Sequence, residues 1–264
     1  MSESAAGPVT LTRQGRVAVV TLTRPDAANA LSLALVAGLR AAFAEITRTD
    51  PAASAVVVTG AGDKAFCAGA DLKERLSFTL ETTRDFLDQL GGLLDSIAAF
   101  PRPVIAALNG VALGGGLELA LACDLRLAAT GVTLGLPEVR LGIIPGAGGT
   151  QRLARLVGPA IAKELILTGR RIDADKAREL GIVNAVVARE SLLETAVALG
   201  NEIGESAPIA VTEAKRAIDD GLTLSMAQGL AVERAAYEVC LMSEDRNEGL
   251  RSFADKRKPV WRGK

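Results

Sequence analysis

Glu118 lies in the stretch GGGLELALACD, and Glu138 follows twenty residues later in LGLPEVRLG. Carboxylates set among apolar residues are candidates for acid–base work, because burial disfavours the charged form and lifts the pKa. Neither position is decisive alone. The helical neighbours of Glu118 at three and four positions, Gly114, Gly115, Leu121 and Ala122, offer no charge partner, so its side chain is either at an exposed edge or buried. Pro137 and the apolar residues around Glu138 put it at a strand end or in a loop, where a surface pair with Arg140 is an equally simple reading. Beside Glu118, the triplet Gly114-Gly115-Gly116 follows a strand and opens a helix. Glycines at such a junction let the backbone approach a ligand, and the first N–H groups of the helix suit an anion or a developing oxyanion. A tight strand-to-helix turn is the other reading. Phe66–Lys73 (FCAGADLK) repeats the arrangement around Gly69, and Ile143–Thr150 (IIPGAGGT) is a second glycine-rich helix entrance whose N–H groups suit a water or an oxygen. The glycines do not fit the dinucleotide fingerprint, and no Walker pattern occurs.

What is missing narrows the chemistry. The 264 residues contain no histidine, which removes Ser-His-Asp and Cys-His triads, histidine zinc sites and any histidine acid or base. Carboxylates lead, since the only tyrosine, Tyr237, sits in an apolar helical stretch. Cys67, Cys123 and Cys240 are scattered without metal-ligand spacing and read as free thiols of a reducing compartment. A formal charge of −1 attracts neither nucleic acid nor an anionic membrane over the whole surface. Met1–Pro8 has no basic region or apolar core of a targeting segment, and no apolar run approaches the ~20 residues of a membrane span. The expectation is a soluble cytoplasmic protein.

The elements that must hold these residues alternate. Val17–Thr23, Ala55–Thr59, Val104–Leu108 and Leu125–Ala128 read as strands. Leu31–Ile46, capped by Asn29 or Ser32, reads as helix, as do Leu80–Ala99 and 116–123. Alternation of this kind predicts an α/β core with helices on buried sheet. Beyond about residue 192 the signals are almost all helical, over 192–206, 208–219, 224–242 and 245–256. This change divides the chain into a core of residues 1–195, carrying the active site, and a helical region of 196–264, whose apolar helices suit local packing or a subunit interface. With aromatics at 3% and hydrophobic residues at 49%, the core must be built from Ala, Leu, Val and Ile.

FCAGADLKE, NGVALGGGLELALACDLRLAA and LGLPEVRLGIIPGAGGTQRL, in this order and spacing, closely resemble the enoyl-CoA hydratase/isomerase (crotonase) family, and the similarity runs from RPDAANALS at 24–32 to SFADKRKP at 252–259. The resemblance implies a crotonase-like spiral of ββα units, a C-terminal helical trimerisation region, and a homo-oligomer, either a trimer or a dimer of trimers. It implies an oxyanion hole made by the N–H groups of Ala70 and Gly115. Water would be held between Glu118, which deprotonates it, and Glu138, which protonates C2, with the N–H of Gly146 touching that water. An acyl-CoA thioester is then the substrate, and no metal or redox cofactor is required. Coenzyme A would lie along Ala68, Ala70, Asp71, Leu72 and Lys73 and meet Asp26, Ala27 and Ala28 at its adenine end. Asp26 stands where relatives often carry a basic residue. Phe253 and Lys256 match residues that reach coenzyme A from a neighbouring subunit; a solvated helix end is their plainer reading.

Both glutamates together favour hydration over isomerisation. The blocks CAGADLKER and GGGLELALACDLR also resemble methylglutaconyl-CoA hydratases, whose substrate carries a distal carboxylate; Arg75, Arg84 and Arg140 are the candidate partners for it. Some relatives bind AU-rich RNA through a lysine-rich helix. The matching stretch here, Leu31–Arg48, has no lysine and only Arg40 and Arg48, so phosphate-driven binding is expected to be weak.

Overall fold

Three successive passes of the chain each lay down one strand in a large sheet, one in a small sheet, and then a helix. The computed structural model describes residues 7–50 and 52–264, so Met1–Ala6 of the N-terminal stretch discussed above lie outside the described residues. Before the first pass come an antiparallel hairpin, β1 (Val9–Gln14) and β2 (Val17–Leu22), and helix α1 (Leu33–Thr49). Ser32 caps α1, its hydroxyl accepting from the N–H of Leu35. Asn29 is fully buried and instead donates through Nδ2 to the carbonyls of Ala61 and Ala65.

The passes are β3 (Ala55–Gly60), β4 (Ala65–Cys67), α2 (Leu72–Arg75) and α3 (Leu80–Ala98); then β5 (Val104–Leu108), β6 (Val111–Leu113) and α4 (Gly115–Ala122); then β7 (Leu125–Ala129), β8 (Thr133–Gly135) and, after a 3-10 turn at Glu138–Leu141, α5 (Gly149–Val157). α6 (Pro159–Thr168), β9 (Arg171–Asp173), α7 (Ala174–Glu179), β10 (Ala185–Val187) and α8 (Leu192–Ile203) complete the layers. The large sheet runs β1-β2-β3-β5-β7-β10, parallel from β2 onward, and the small one β4-β6-β8-β9, with only β9 antiparallel. This is the expected α/β spiral of ββα units. The four expected strands are β2, β3, β5 and β7 of the large sheet, whose edge strands β1 and β10 the sequence reading does not include. The three-residue strands of the small sheet were not read, because so short a run carries no periodicity.

The large sheet is covered on both faces, which is why its strands are continuous apolar runs rather than alternating ones. Val17–Val20, Ala55–Val58 and Val104–Leu108 are buried throughout. α8 lays Leu192, Ala196 and Val197 against this sheet, and a Cβ on its Gly200 would sit 2.8 Å from Val17 Cγ2.

Beyond α8, the helices α9 (Pro208–Gly221) and α10 (Met226–Leu241) pack mainly on each other, followed by α11 (Glu244–Ala254). α9 buries no residue and α10 only Ala236, so Ile218, Leu222, Met226, Leu230 and Tyr237 stay exposed. Polar ties dock the segment on the core: Lys215 Nζ lies 2.8 Å from Asp124, and the Thr212 hydroxyl donates to the carbonyl of Pro101 at 3.0 Å. Within the segment, the indole N–H of Trp261 donates to the carbonyl of Glu205 at 2.6 Å and the buried Asp245 accepts the N–H groups of Arg262 and Gly263. Among the described residues no helix is long and apolar enough to cross a membrane.

Candidate active site

Three neighbouring parallel strands of the small sheet, β4, β6 and β8, deliver their carboxyl ends to one place. That is where open parallel sheets characteristically present loops to a ligand. From β4 the chain enters residues 68–71. The carbonyl of Gly69 (φ +98°) accepts from the N–H of Leu31, while the N–H of Asp71 donates to the carbonyl of Leu31. In such a parallel bridge the intervening residue turns its own N–H away. The N–H of Ala70 therefore faces the opposite side, toward β6.

From β6 the chain turns through Gly114 (φ 52°, ψ −129°), a conformation that a side chain would strain, and its N–H donates to the carbonyl of Gly135 on β8. Gly115 then begins α4, and its N–H belongs to the first turn, where no intrahelical acceptor exists. The two amides are neighbours: a Cβ on Gly69 would lie 3.4 Å from Gly115 N, and one on Gly115 would lie 3.8 Å from Ala70 N. Gly116 has a different duty. A Cβ there would fall 2.0 Å from the carbonyl oxygen of Cys67, so the glycine lets α4 press against β4.

α4 is buried on every side, and Glu118 with it at 3% exposure. Its Oε1 accepts two hydrogen bonds of 2.8 Å, from the N–H groups of Ala147 and Gly149. The glycine-rich entrance of α5 therefore holds the carboxylate itself. From β8 the chain passes Pro137 into Glu138, which is buried in the 3-10 turn. The surface pair with Arg140 does not form; the Arg140 guanidinium donates to the carbonyl of Thr168. Glu138 Oε1 lies 3.0 Å from where a Cβ of Gly114 would be, and its Oε2 is buried without a hydrogen-bond partner.

Both carboxyls face one cavity of about 820 Å³. Its wall includes Ala68, Ala70, Leu72, Gly115, Glu118, Glu138 and Gly146 of the expected site residues, and is otherwise largely apolar, with Phe86, Leu87, Leu90, Leu141, Ile143 and Ile144. Burial pushes the Glu138 carboxyl up to about 7, helped by the charge of Glu118. Burial also raises Glu118, against the pull of the Gly149 and Ala147 amides and of the Arg152 charge.

Other expected residues lie off this wall. Asp71 caps α2 and pairs with Arg24 at 2.8 Å, which with its hydrogen bonds holds its carboxyl below the usual range. Asp26 and Ala27 form a 3-10 turn, and the carbonyl of Ala28 accepts from the N–H of Ala68, tying the turn to the cavity segment. Lys73 is exposed on α2, next to Leu72. Phe253, 86% exposed, and Lys256, with φ +53°, stand at the end of α11. Of the three arginines considered for a distal carboxylate, Arg75 and Arg140 line the cavity and Arg84 does not; Arg171 also lines it. Arg24, Arg152 and Arg171 were not read from the sequence. For Arg152 the signal was present, an arginine three residues beyond the glycine run GAGG. Among the described residues no cluster of three or more His, Cys, Asp or Glu could hold a metal ion.

Known proteins share this architecture and sequence. The profile described as enoyl-CoA hydratase/isomerase matches residues 12–264. A Bacillus subtilis protein, YngF, named for enoyl-CoA hydratase/isomerase, is 49% identical over 247 residues, covering 94% of this chain and 95% of its own. The short-chain-enoyl-CoA hydratase of Clostridium acetobutylicum is 43% identical over 250 residues, covering 95% of each. The crystal structure of an enoyl-CoA hydratase from Bacillus anthracis superposes with a TM-score of 0.95 at 46% identity, covering 97% of this chain and 100% of that one.

Proposed function

The chain belongs to the enoyl-CoA hydratase/isomerase family, and within that family we propose that it is a hydratase, adding water across the C2=C3 bond of a trans-2-enoyl-CoA thioester in fatty-acid or branched-chain acyl breakdown. The observation that carries this reading is the pair of buried carboxyls, Glu118 and Glu138, on one apolar cavity beside the N–H groups of Ala70 and Gly115. The two N–H groups receive the thioester oxygen and stabilise the negative charge that grows there as C3 is attacked. Glu118, fixed by two amides, takes a proton from the water whose oxygen bonds to C3. Glu138, which holds its proton up to about pH 7, delivers that proton to C2. The proton gained by Glu118 is passed on before the next turnover. Gly146, on the cavity wall, supplies a further contact to the water. The scheme needs nothing beyond the substrate's own coenzyme A.

In the same proposal coenzyme A runs along Ala68, Ala70, Asp71, Leu72 and Lys73 to Asp26, Ala27 and Ala28, with Phe253 and Lys256 supplied by a neighbouring copy. The exposed apolar faces of α9 and α10 support a homo-oligomer, a trimer or a dimer of trimers. The test is hydration of crotonyl-CoA, followed by loss of the enoyl-thioester absorbance. Glu118→Gln and Glu138→Gln should each reduce kcat by ~10³-fold or more. No turnover by the unaltered protein would withdraw the short-chain reading and direct the assay to 3-enoyl isomerisation.

One observation favours a second reading, a substrate with a distal carboxylate such as 3-methylglutaconyl-CoA. Arg75 is half-buried at the cavity wall, and the contact it makes there is with the ring of Phe86, 5.3 Å from its centre. If so, Arg75→Met should reduce kcat/KM for 3-methylglutaconyl-CoA at least tenfold more than for crotonyl-CoA; equal losses would discard it.

A further inference from the structure

The two amides that grip Glu118 are themselves held from behind. Ala147 donates its N–H to Glu118 Oε1, and its carbonyl accepts from Arg152 Nη1 at 2.9 Å. Ala147 is buried, 4% exposed, so that carbonyl would otherwise lack a partner. Between the two gripping residues stands Gly148, with φ +99°. A Cβ on Gly148 would collide with Arg152 Nη1, so the glycine leaves the space that the Nη1 end of the guanidinium occupies against the turn. The N–H of Arg152 also donates to the carbonyl of Gly148 at 2.8 Å. On its outer side Arg152 Nη2 reaches Asp95 of α3 at 2.7 Å, an aspartate that is 78% exposed while the arginine side chain is 22% exposed. Gly149 completes the clamp. Its own Cβ would come within 2.9 Å of Glu118 Oε1, so the carboxylate sits directly on the first turn of α5.

We propose that Arg152 is a positioning residue for the reaction: it locks the turn at residues 146–149 so that the Ala147 and Gly149 amides face Glu118, and its charge keeps that carboxylate ready to accept a proton. The inference rests on the hydratase reading for its kinetic consequence, but not for its structural one. The charged or titratable groups around Glu118 are few. Glu138 faces it from the 3-10 turn after β8, and Arg152 from α5 with Asp95 behind it on α3. Among the described residues Arg152 is therefore the cation whose charge acts on Glu118, and removing it must shift the carboxyl toward its protonated form.

Three variants separate charge, geometry and general damage. Arg152→Gln removes the charge, Arg152→Lys keeps it with poorer geometry, and Arg155→Gln removes a charge from the same helix where the side chain only returns to Gln151. With crotonyl-CoA, Arg152→Gln should lower kcat by ~10²-fold with KM changed less than threefold, and should move the acidic limb of the kcat profile to higher pH. Arg152→Lys should recover at least part of both effects, and Arg155→Gln should match the unaltered protein. In parallel, infrared difference spectra against Glu118→Gln would follow the Glu118 carboxyl directly, without any turnover. Its titration should move upward in Arg152→Gln. An unshifted Glu118 titration in a folded Arg152→Gln protein, or a lysine variant no better than the glutamine one, would overturn the role of Arg152. If instead the unaltered protein hydrates no enoyl thioester, the hydratase reading fails while the infrared titration still decides this one.

Discussion

Glu138 is a carboxyl kept where water cannot solvate its charge, and that has a cost that can be measured apart from catalysis. In the folded protein its pKa is about 7, against an ordinary 4.5. Between those two values the folded state binds more protons than the unfolded chain, so stability must fall as pH rises from about 4.5 through about 7. The contribution is at most ~3.5 kcal/mol, taking ~1.4 kcal/mol for each pH unit. Glu138→Gln should flatten this part of the stability profile and unfold later than the unaltered protein above pH 7. Urea melts at pH 5, 6, 7 and 8 would show it, and a slope identical in both proteins would refute it. The same pKa predicts that kcat/KM for an enoyl-CoA bends downward as pH rises past about 7, when the proton destined for C2 is lost. At this scale the sequence was readable in part. The two glutamates stood out once the blocks around them were seen together. Their surroundings did not, because the partners of Glu118 are backbone amides 29 and 31 residues away, and backbone groups leave no mark in a sequence.

At the scale of elements, the site depends on three strands of three residues each. Their registry brings residues 68–71, 114–118 and 136–138 side by side, although each strand is too short to announce itself. The central strands β2, β3 and β5 of the large sheet are legible from their apolar, β-branched runs, and α1, α3 and the C-terminal helices from their periodicity, whereas β1, half polar at the sheet edge, is not. What pins α4 to the small sheet is a glycine rather than a pattern. Gly116→Ala would drive a methyl group into the Cys67 carbonyl, and since the obstacle is backbone, β4 and α4 would have to move apart. The expected loss is ~2–3 kcal/mol, with turnover falling as Ala70 and Gly115 separate. Calorimetry together with the crotonyl-CoA assay would check it; an alanine variant with unaltered melting and rate would show that the junction can give. Gly91, around which a Cβ would meet nothing within 4 Å, is the matched control on α3.

For the whole molecule, the contrast lies between a core sealed on both faces and a C-terminal helical pair that seals almost nothing of its own. Leu222, in the turn between α9 and α10, and Met226, at the start of α10, are each 80% exposed, and polar ties hold this helical pair to the core. Apolar surface of this kind is normally covered. Sedimentation should find the protein as a trimer or a dimer of trimers at micromolar concentration, and Leu222→Asp combined with Leu230→Asp should release smaller species. Monomers of the unaltered protein at that concentration would remove the proposed supply of Phe253 and Lys256 from a neighbour. The change from alternating to helical signals puts the expected boundary between residues 195 and 196, inside α8, a helix that packs on the large sheet, and which faces the later helices leave open emerges only once they are folded against each other.

The single tryptophan gives this division a practical use. Trp261 sits in the last turn of chain that crosses between Glu205 and α11, its ring against Gly249, and it is not among the residues that line the cavity of Glu118 and Glu138. Intrinsic fluorescence excited at the indole therefore reports on the seating of the C-terminal segment and is blind to the enoyl group, whose own absorbance reports on the chemistry. One cuvette holds two independent optical channels, so a variant that loosens assembly and a variant that stops hydration can be told apart in the same minute, without a label.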